Sequence, residues 1–351
     1  MGNIVKQPGS LYFIKEEDLL SKAISSYVKI GLVRDDKETE KRIAEHQTGN
    51  PRKIYNHKTL SSPFVEHLET QMHYRFAEKW ITGEWFNFTE TELKNAIKEA
   101  QKIIKEQENF AAVIEDADLL KDQVSNGEKR EPSVEELKHW EQFISFKEKN
   151  DVLAAKKTIV AHKIRSRMGN ALHFDGMAEH ILKKDSTGFS ESTFKSEHPE
   201  IHVQFVIEKE AKIGGSFSIK GKNTLKNTEA VLYEQKKSLE KISYLSKDID
   251  CKKSIKRNKK DEALHLEYIK LQKEIYILEW ECQKLEATIK VDLGTHSEIE
   301  GICSWNRSSK TSSSFDSKSF KEAHPELYEQ YQVTKPGSTS FSVYSFRGYG
   351  V

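Results

Sequence analysis

Apolar and polar positions in the first ninety residues alternate between two periods. Leu11-Tyr-Phe-Ile14 and Tyr27-Val-Lys-Ile30 are short β-prone runs, and Gly31 punctuates the second, so two strands of one sheet are expected. A helix capped by Asp35 or Asp36 should follow and run to about Gln47, where Thr48-Gly49-Asn50-Pro51 stops it. A third strand is predicted near Arg52 to His57. Ser61-Ser62-Pro63 then opens a second helix with Phe64, Leu68, Met72 and Phe76 every four residues, and it should stop near Thr82-Gly83. Glu84 and Trp85 read as a closing strand, with Trp85 and Phe86 packing the sheet against the second helix. The pattern describes a small α/β head of three strands and flanking helices.

Downstream the helical period dominates. Thr89 to about Leu120 carries a stripe of Leu93, Ile97, Ile103 or Ile104 and Ala111, and Ser125 to Pro132 is a polar linker. Ser133 with Glu136 three residues on fits a capping box at the start of another helix. From Asn227 to Leu293 a Leu/Ile-spaced, Lys/Glu-rich tract has neither proline nor glycine, the composition of long helices, a helical hairpin or a coiled coil through which two chains can dimerise.

The second half also repeats itself. Gly169-x5-Asp175-Gly176 recurs as Gly294-x5-Glu300-Gly301. Phe189-x4-Phe194-Lys195-x2-His198-Pro199-Glu200 recurs as Phe315-x4-Phe320-Lys321-x2-His324-Pro325-Glu326, and Ser216-Phe-Ser-Ile219 as Ser340-Phe-Ser-Val343. Each copy reads as a helix, a glycine turn, a short extended segment, a small helix and a closing strand. The His-Pro-Glu triplets read as turn-fixing parts of a recurring mini-core, the alternative being ligand sites. The fold class is therefore α+β. The expected segments are a head at 1–92, a helical connector at 93–150, a first repeat at 151–225, a long helical or coiled-coil region at 226–293 and a second repeat at 294–351.

Charge changes this picture only locally. The chain of 351 residues has 56 Lys+Arg against 55 Asp+Glu, which excludes a uniformly basic nucleic-acid binder. The first 150 residues carry 23 cations against 27 carboxylates and the remainder 33 against 28, so the basic excess lies in the second half. Six of the nine residues from Lys252 to Lys260 are basic: Lys252, Lys253, Lys256, Arg257, Lys259 and Lys260. They read either as a solvated helix turn or as a patch that contacts DNA phosphates. At 36% hydrophobic residues and a mean hydropathy of -0.70 the chain suits several modest cores better than one large one. The absence of an apolar run of roughly 18 to 20 residues, and a start without signal-peptide layout, lead to the expectation of a cytoplasmic protein with no membrane contact. Cys251, Cys282 and Cys303 are scattered and odd in number, and read as buried or idle thiols.

The head gathers polar residues in an order that makes chemical sense. Tyr12 lies in the first strand and Lys29 in the second, Arg42 and His46 are i and i+4 on the first helix, and Glu69 and His73 are i and i+4 on the second. Hydrolysis of a phosphodiester needs an activated water, a metal or cation on the non-bridging oxygens, an acid for the leaving group and rigid placement. Tyr or Lys, Glu with a metal, and Arg supply these.

The same residues carry a resemblance. Gly9-Ser-Leu-Tyr12, Tyr27-Val-Lys-Ile-Gly31, Arg42-Ile-Ala-Glu-His46, Glu69-x3-His73-x2-Phe76 and Gly83-Glu-Trp-Phe86 resemble, in order, the motifs of the GIY-YIG nuclease superfamily, particularly its viral and prophage branch. That resemblance covers roughly the first quarter of the chain and implies an α/β head with a three-stranded antiparallel sheet and flanking helices, and a DNA endonuclease. It gives Tyr12 the role of orienting or deprotonating the attacking water, Arg42 the scissile phosphate and Glu69 a divalent cation, Mg2+ or Mn2+. His46, His57 and His73 fall at auxiliary positions. Lys29 stands where tyrosine is usual, and Glu66, one turn before Glu69, competes for the metal. The segment from Gly301 to Val343, with the helix ending Leu285-Glu-Ala-Thr-Ile-Lys290, looks like the tail of YqaJ-type phage recombination nucleases, which implies an accessory module and not exonuclease activity. DNA is the expected partner, with a homodimer through 227–293 as a further option. Two non-enzymatic readings stand beside the nuclease: a head that binds DNA without cutting, and an interaction protein built on the 227–293 helices.

Overall fold

The computed structural model describes residues 6–35, 38–48, 50–221, 223–243 and 249–344. Asp36 and Gly49, expected at the ends of the first helix, lie outside the described residues. The class is mixed α+β, and no helix among the described residues is long and apolar enough to cross a membrane.

The head begins with β1 (Gly9–Glu17) and β2 (Ile24–Arg34), followed by α1 (Thr39–Gln47), β3 (Lys53–Ser62), α2 (Val65–Arg75), β4 (Trp80–Thr82) and β5 (Trp85–Asn87). The three long strands form an antiparallel sheet, and the β4–β5 hairpin extends it to the order β3-β1-β2-β5-β4. Helix α1 starts after Glu38, with no side-chain cap, and not at Asp35. Helix α2 is shorter than its apolar spacing predicts. Ser61 and Ser62 extend β3 by pairing with Ser10 and Gly9, which delays the start, and the chain must leave the helix at Arg75 to form the hairpin. Phe76 still packs on the core that Leu68 and Met72 share with Leu11, Phe13, Val28, Ile30 and Phe86.

Helix α3 (Glu90–Leu119) leaves the head, its first turn closed by the capping box of Thr89 and Glu92. It leads to β6 (Lys129–Arg130) and α4 (Val134–Met168), which the Ser133/Glu136 capping box opens as its spacing predicts. Then come β7 (Ala171–Phe174), β8 (Ala178–Leu182), β9 (Ser186–Phe189), α5 (Glu191–Glu197), α6 (Pro199–His202), β10 (Val206–Gly214) and β11 (Ser218–Ile219). After α7 (Leu225–Thr228) and α8 (Ala230–Ser243) the series returns: β12 (Asp250–Ile255), α9 (Lys259–Leu293), β13 (Glu298–Ile299), β14 (Cys303–Ser304), β15 (Ser308–Phe315), α10 (Ser317–Ala323), α11 (Pro325–Gln330), β16 (Gln332–Lys335) and β17 (Thr339–Val343).

The repeat is longer than its motifs indicate. Helices α4 and α9 are both 35 residues long, both opened by a capping box, and both ended by a glycine with φ near +60° (Gly169 at 59°, Gly294 at 56°), a conformation that needs glycine. The position expected to divide connector from first repeat, residue 150, falls in the middle of α4. The two copies also exchange strands. Ser254 and Ile255 pair in parallel with His173 and Phe174, and Lys129 and Arg130 pair identically with Glu298 and Ile299. Val343 of the closing strand pairs with Ala178 of the other copy, as Ile219 does with Cys303. Val206 meets Phe315 and Gln332 meets Phe189. The pairing is reciprocal throughout, the pattern of a two-fold dimer built within one chain.

Two expectations change as a result. The basic run is not a helix turn: Lys252 and Lys253 lie in β12, Lys256 and Arg257 in the link after it, and Lys259 and Lys260 open α9. Parallel pairing with β7, anchored by Asp250 N to Asn170 O at 2.9 Å and Asp175 N to Ile255 O at 3.0 Å, draws this Lys-rich segment into a strand. The apolar side of α9 is also covered within the chain. Antiparallel α4 follows it, with His139 near Asp292 and Arg167 near Asp261, while Trp280 packs on Phe64 and His67 of the head and on Ile114 of α3. The side of α9 that packs on α4, α3 and the head is therefore not available to a second chain.

Candidate active site

The sheet of the head has two apolar faces, and alternation along β1 assigns its side chains to them. Leu11 and Phe13 face α2 and α3, whereas Tyr12 and Ile14 face α1, beside Ile43, Val33 and Ile54. On β2, Val28 and Ile30 belong to the first face, which leaves Lys29 and Gly31 on the second with Tyr12. Tyr12 lies opposite Gly31 in register. A Cβ at Gly31 would sit 2.4 Å from the Tyr12 hydroxyl oxygen, so glycine lets the phenol ring lie across β2.

Where β5 stops, the site opens. Strand β5 covers β2 only from Tyr27 to Lys29, and at Ile30 the edge is taken by two other groups. The backbone N–H of Ile30 donates to the carbonyl of Glu84 at 3.0 Å, and the Ile30 carbonyl accepts from His73 Nε2 at 2.8 Å. The first contact brings Glu84, from the turn at Gly83, to the active face. Its carboxylate forms a 2.8 Å ion pair with Lys29. The second anchors α2, so that Glu69, one turn before His73 and only 3% exposed, lies close enough to act electrostatically on Tyr12.

From α1 come His46, whose Nε2 is 3.1 Å from the Tyr12 hydroxyl, and Arg42, whose guanidinium faces the same oxygen. Burial, followed by the charge of Glu84, pushes the Tyr12 phenol far above its ordinary value, against the opposing pull of Arg42. Burial also lowers the His46 imidazole below its ordinary value, helped by Lys29 and Arg42. The protons follow. Arg42 has only donors, so it takes a lone pair of the phenol oxygen, and a raised phenol beside a lowered imidazole suits donation from the Tyr12 hydroxyl to His46 Nε2.

Tyr12, Lys29, Arg42, His46 and Glu69 thus converge from four elements. Glu66 does not: it is exposed and pairs with Arg34. His73 serves as the anchor to Ile30, and His57 stands in the bulge of β3, where Lys15 and Glu90 are its charged neighbours. Sequence reasoning missed Glu84 as a member of the cluster by reading it as part of a structural strand. The one available signal was a carboxylate directly after a turn glycine, Gly83 at φ +54°.

The remaining candidates lie elsewhere. The cations of the basic run belong to the second repeat copy; Lys253 bonds Asn170 at 3.0 Å and Arg257 pairs with Glu262 at 3.5 Å. His198 and His324 each donate a backbone N–H to the phenylalanine four residues earlier, and their rings stand edge-on to Tyr331 and Phe205. Phe194, Phe320 and Tyr331 make one joint core of the two copies, not two mini-cores. All three cysteines are free, and burial raises the Cys282 and Cys303 thiols to about 11. Among the described residues no group of three or more His, Cys, Asp or Glu is placed to hold a metal ion.

Residues 9–101 match the family model of the T5orf172 domain. This is a nuclease-like, phage-associated domain, and the matched segment contains Tyr12, Lys29, Arg42, His46, Glu69 and Glu84. It ends within α3 and leaves the exchanged repeats outside. No curated protein and no solved structure matches the chain.

Proposed function

We propose that the head is a GIY-YIG-type endonuclease that hydrolyses DNA phosphodiesters with Mg2+ or Mn2+, and that the second half holds the DNA. The observation that carries this reading is the meeting of a phenol, an imidazole, a guanidinium, an ammonium and a buried carboxylate around Tyr12 in a segment similar to a nuclease-like domain.

Each group has a task its chemistry suits. Neutral His46 is the base: the attacking water gives a proton to the Tyr12 oxygen while Tyr12 passes its own to His46 Nε2. Tyr12 is the relay, since a phenol held far above its ordinary range does not ionise by itself. Lys29, ion-paired with Glu84, serves as a cation for the phosphate and not as a base. Arg42 adds a fork that matches two phosphate oxygens. Mg2+ accepts one or two carboxylates and completes its shell with water and phosphate, so Glu69 suffices to hold it despite the absence of a larger ligand cluster. When bound, the ion would neutralise charge developing on the phosphoryl oxygens.

The test is incubation of supercoiled plasmid with the full chain in Mg2+, Mn2+ or EDTA. Metal-dependent nicking or linearisation that disappears in Glu69→Gln and Arg42→Ala supports the reading. Cleavage that survives both substitutions rejects it, and DNA binding without any cleavage favours a head that has kept its shape alone. The acidic limb of the rate profile should lie below the ordinary imidazole value, because His46 must be neutral to act.

A further inference from the structure

The nuclease reading leaves open what form of DNA the enzyme takes, and a cleft beside the head bears on it. A cavity of about 640 Å³ lies between the segment after α2 and the first turns of α9. On the head side it is lined by Glu78 and Trp80, on the other by Arg257, Glu262, Lys270 and Lys273. Trp80 Nε1 donates to the Gly83 carbonyl at 2.9 Å, so the indole sits beneath the turn that carries Glu84 to Lys29. The cleft and the catalytic cluster are therefore separated by a single β-hairpin. Arg257 leads from the cleft to Lys256 beside it and to Lys252 and Lys253 of β12.

We infer that this cleft binds an unpaired DNA strand next to the scissile position, and that the substrate is single-stranded, forked or branched DNA. The inference rests on the nuclease reading for its catalytic half only. Its volume matches a small-molecule site and admits one or two nucleotides, whereas a duplex is far too wide. Its walls have the two components that sequence-tolerant single-strand binding uses, an aromatic side chain against which a base stacks and cations for the backbone. The carboxylates divide the cleft. Glu262 pairs with Arg257 at 3.5 Å, on the phosphate side. Glu78 beside Trp80 would repel a phosphate but accepts hydrogen bonds from the amino groups of a base. A second cleft of about 670 Å³, beside α4 and α9, serves as a contrast: Val152, Leu153, Ile277 and Leu278 line it with three carboxylates, Glu148, Glu229 and Glu274, against the single cation Lys149, which suits no polyanion.

The experiment measures binding in EDTA, so that cleavage plays no part. Full-length protein is titrated with fluorescent oligonucleotides of one sequence as single strand, fork and duplex, at several salt concentrations. The single strand and the fork should bind at least tenfold more tightly than the duplex. The Arg257→Gln/Lys270→Gln/Lys273→Gln variant should weaken the single strand at least tenfold and lower the slope of log affinity against log salt by about 2, from three lost contacts at roughly 0.7 each. Trp80→Phe should retain binding, and Trp80→Leu should weaken it about tenfold. Since Trp80 also packs on the core, the cation variant decides the outcome. Unchanged affinity and slope in that variant, or equal binding of duplex and single strand, overturns the inference. Binding through the cleft without cleavage in Mg2+ sinks only the nuclease reading, and cleavage with a cation variant that binds normally sinks only this one.

Discussion

The head and the paired repeats place polar residues in opposite ways. In the repeats, each His-Pro-Glu triplet has a counterpart in the same local setting, and His198 and His324 turn their rings into one aromatic core around Phe194 and Phe320. In the head, Tyr12, Lys29, Arg42, His46, Glu69 and Glu84 come from different elements and meet without symmetry at the point where β5 stops pairing with β2. A motif that recurs with its surroundings is explained by its own folding unit. A cluster assembled across elements, with a buried carboxylate and a phenol raised by burial, costs stability that folding alone does not require.

The comparison can be broken in several ways. The largest effect is expected for Glu69→Gln, which should lower cleavage by about 10³- to 10⁴-fold at unchanged circular dichroism. His198→Ala and His324→Ala should change the rate by less than about threefold. If either histidine variant falls as far as Glu69→Gln, the repeats carry chemistry and the contrast is wrong. Phe320→Ala should cost about 3–5 kcal/mol in urea denaturation, because the ring is fully buried among Phe189, Phe194, Phe205 and Phe315. A loss below about 1 kcal/mol would mean that the joint core does not hold the copies together.

Lys29 gives a sharper test within the head. Lys29→Met should lower cleavage by about 10²-fold and Lys29→Arg by less than about tenfold, since arginine supplies the cation but cannot act as a base. Equal loss in both would return Lys29 to the role of base.

The smallest effect is a pH dependence where the head meets α9. His67 is buried against Trp280, with Gln71 and Gln107 on its two ring nitrogens, and burial lowers it to about 3. A histidine lowered on folding contributes stability that is fully present above its unfolded value near 6.5 and is lost as pH falls toward the folded value. Between pH 6.5 and 5 this should cost about 2 kcal/mol, which His67→Gln should largely abolish in denaturation curves at the two pH values.

Much of the head was legible in the sequence because its signals are local. Period-two alternation put Tyr12 and Lys29 in adjacent strands, and the i, i+4 spacing put Arg42 with His46 and Glu69 with His73. The capping box at Ser133 is a bond between residues three apart, and it formed where its spacing indicates. Glu84 was not legible as a site residue, because its neighbours depend on where β5 docks and on how far it runs. Nor was β12, whose lysines carry no strand signal and which is extended by its partner β7. The motifs revealed two copies, but a repeat in sequence does not say whether each copy closes on itself or on the other.

The sequence by itself determined the α+β class, the principal strands of the head, the starts of α3 and α4, the existence of the repeat and the order of the polar residues in the head. These follow from side-chain period, capping and glycine conformation, which act over a few residues. Only the tertiary structure decided that the copies exchange strands, that α9 spends its apolar side within the chain, that Glu84 meets Lys29, and that burial raises the Tyr12 phenol while it lowers the His46 imidazole. Those outcomes depend on burial and on charges brought together from distant positions, and both exist only once the chain has folded.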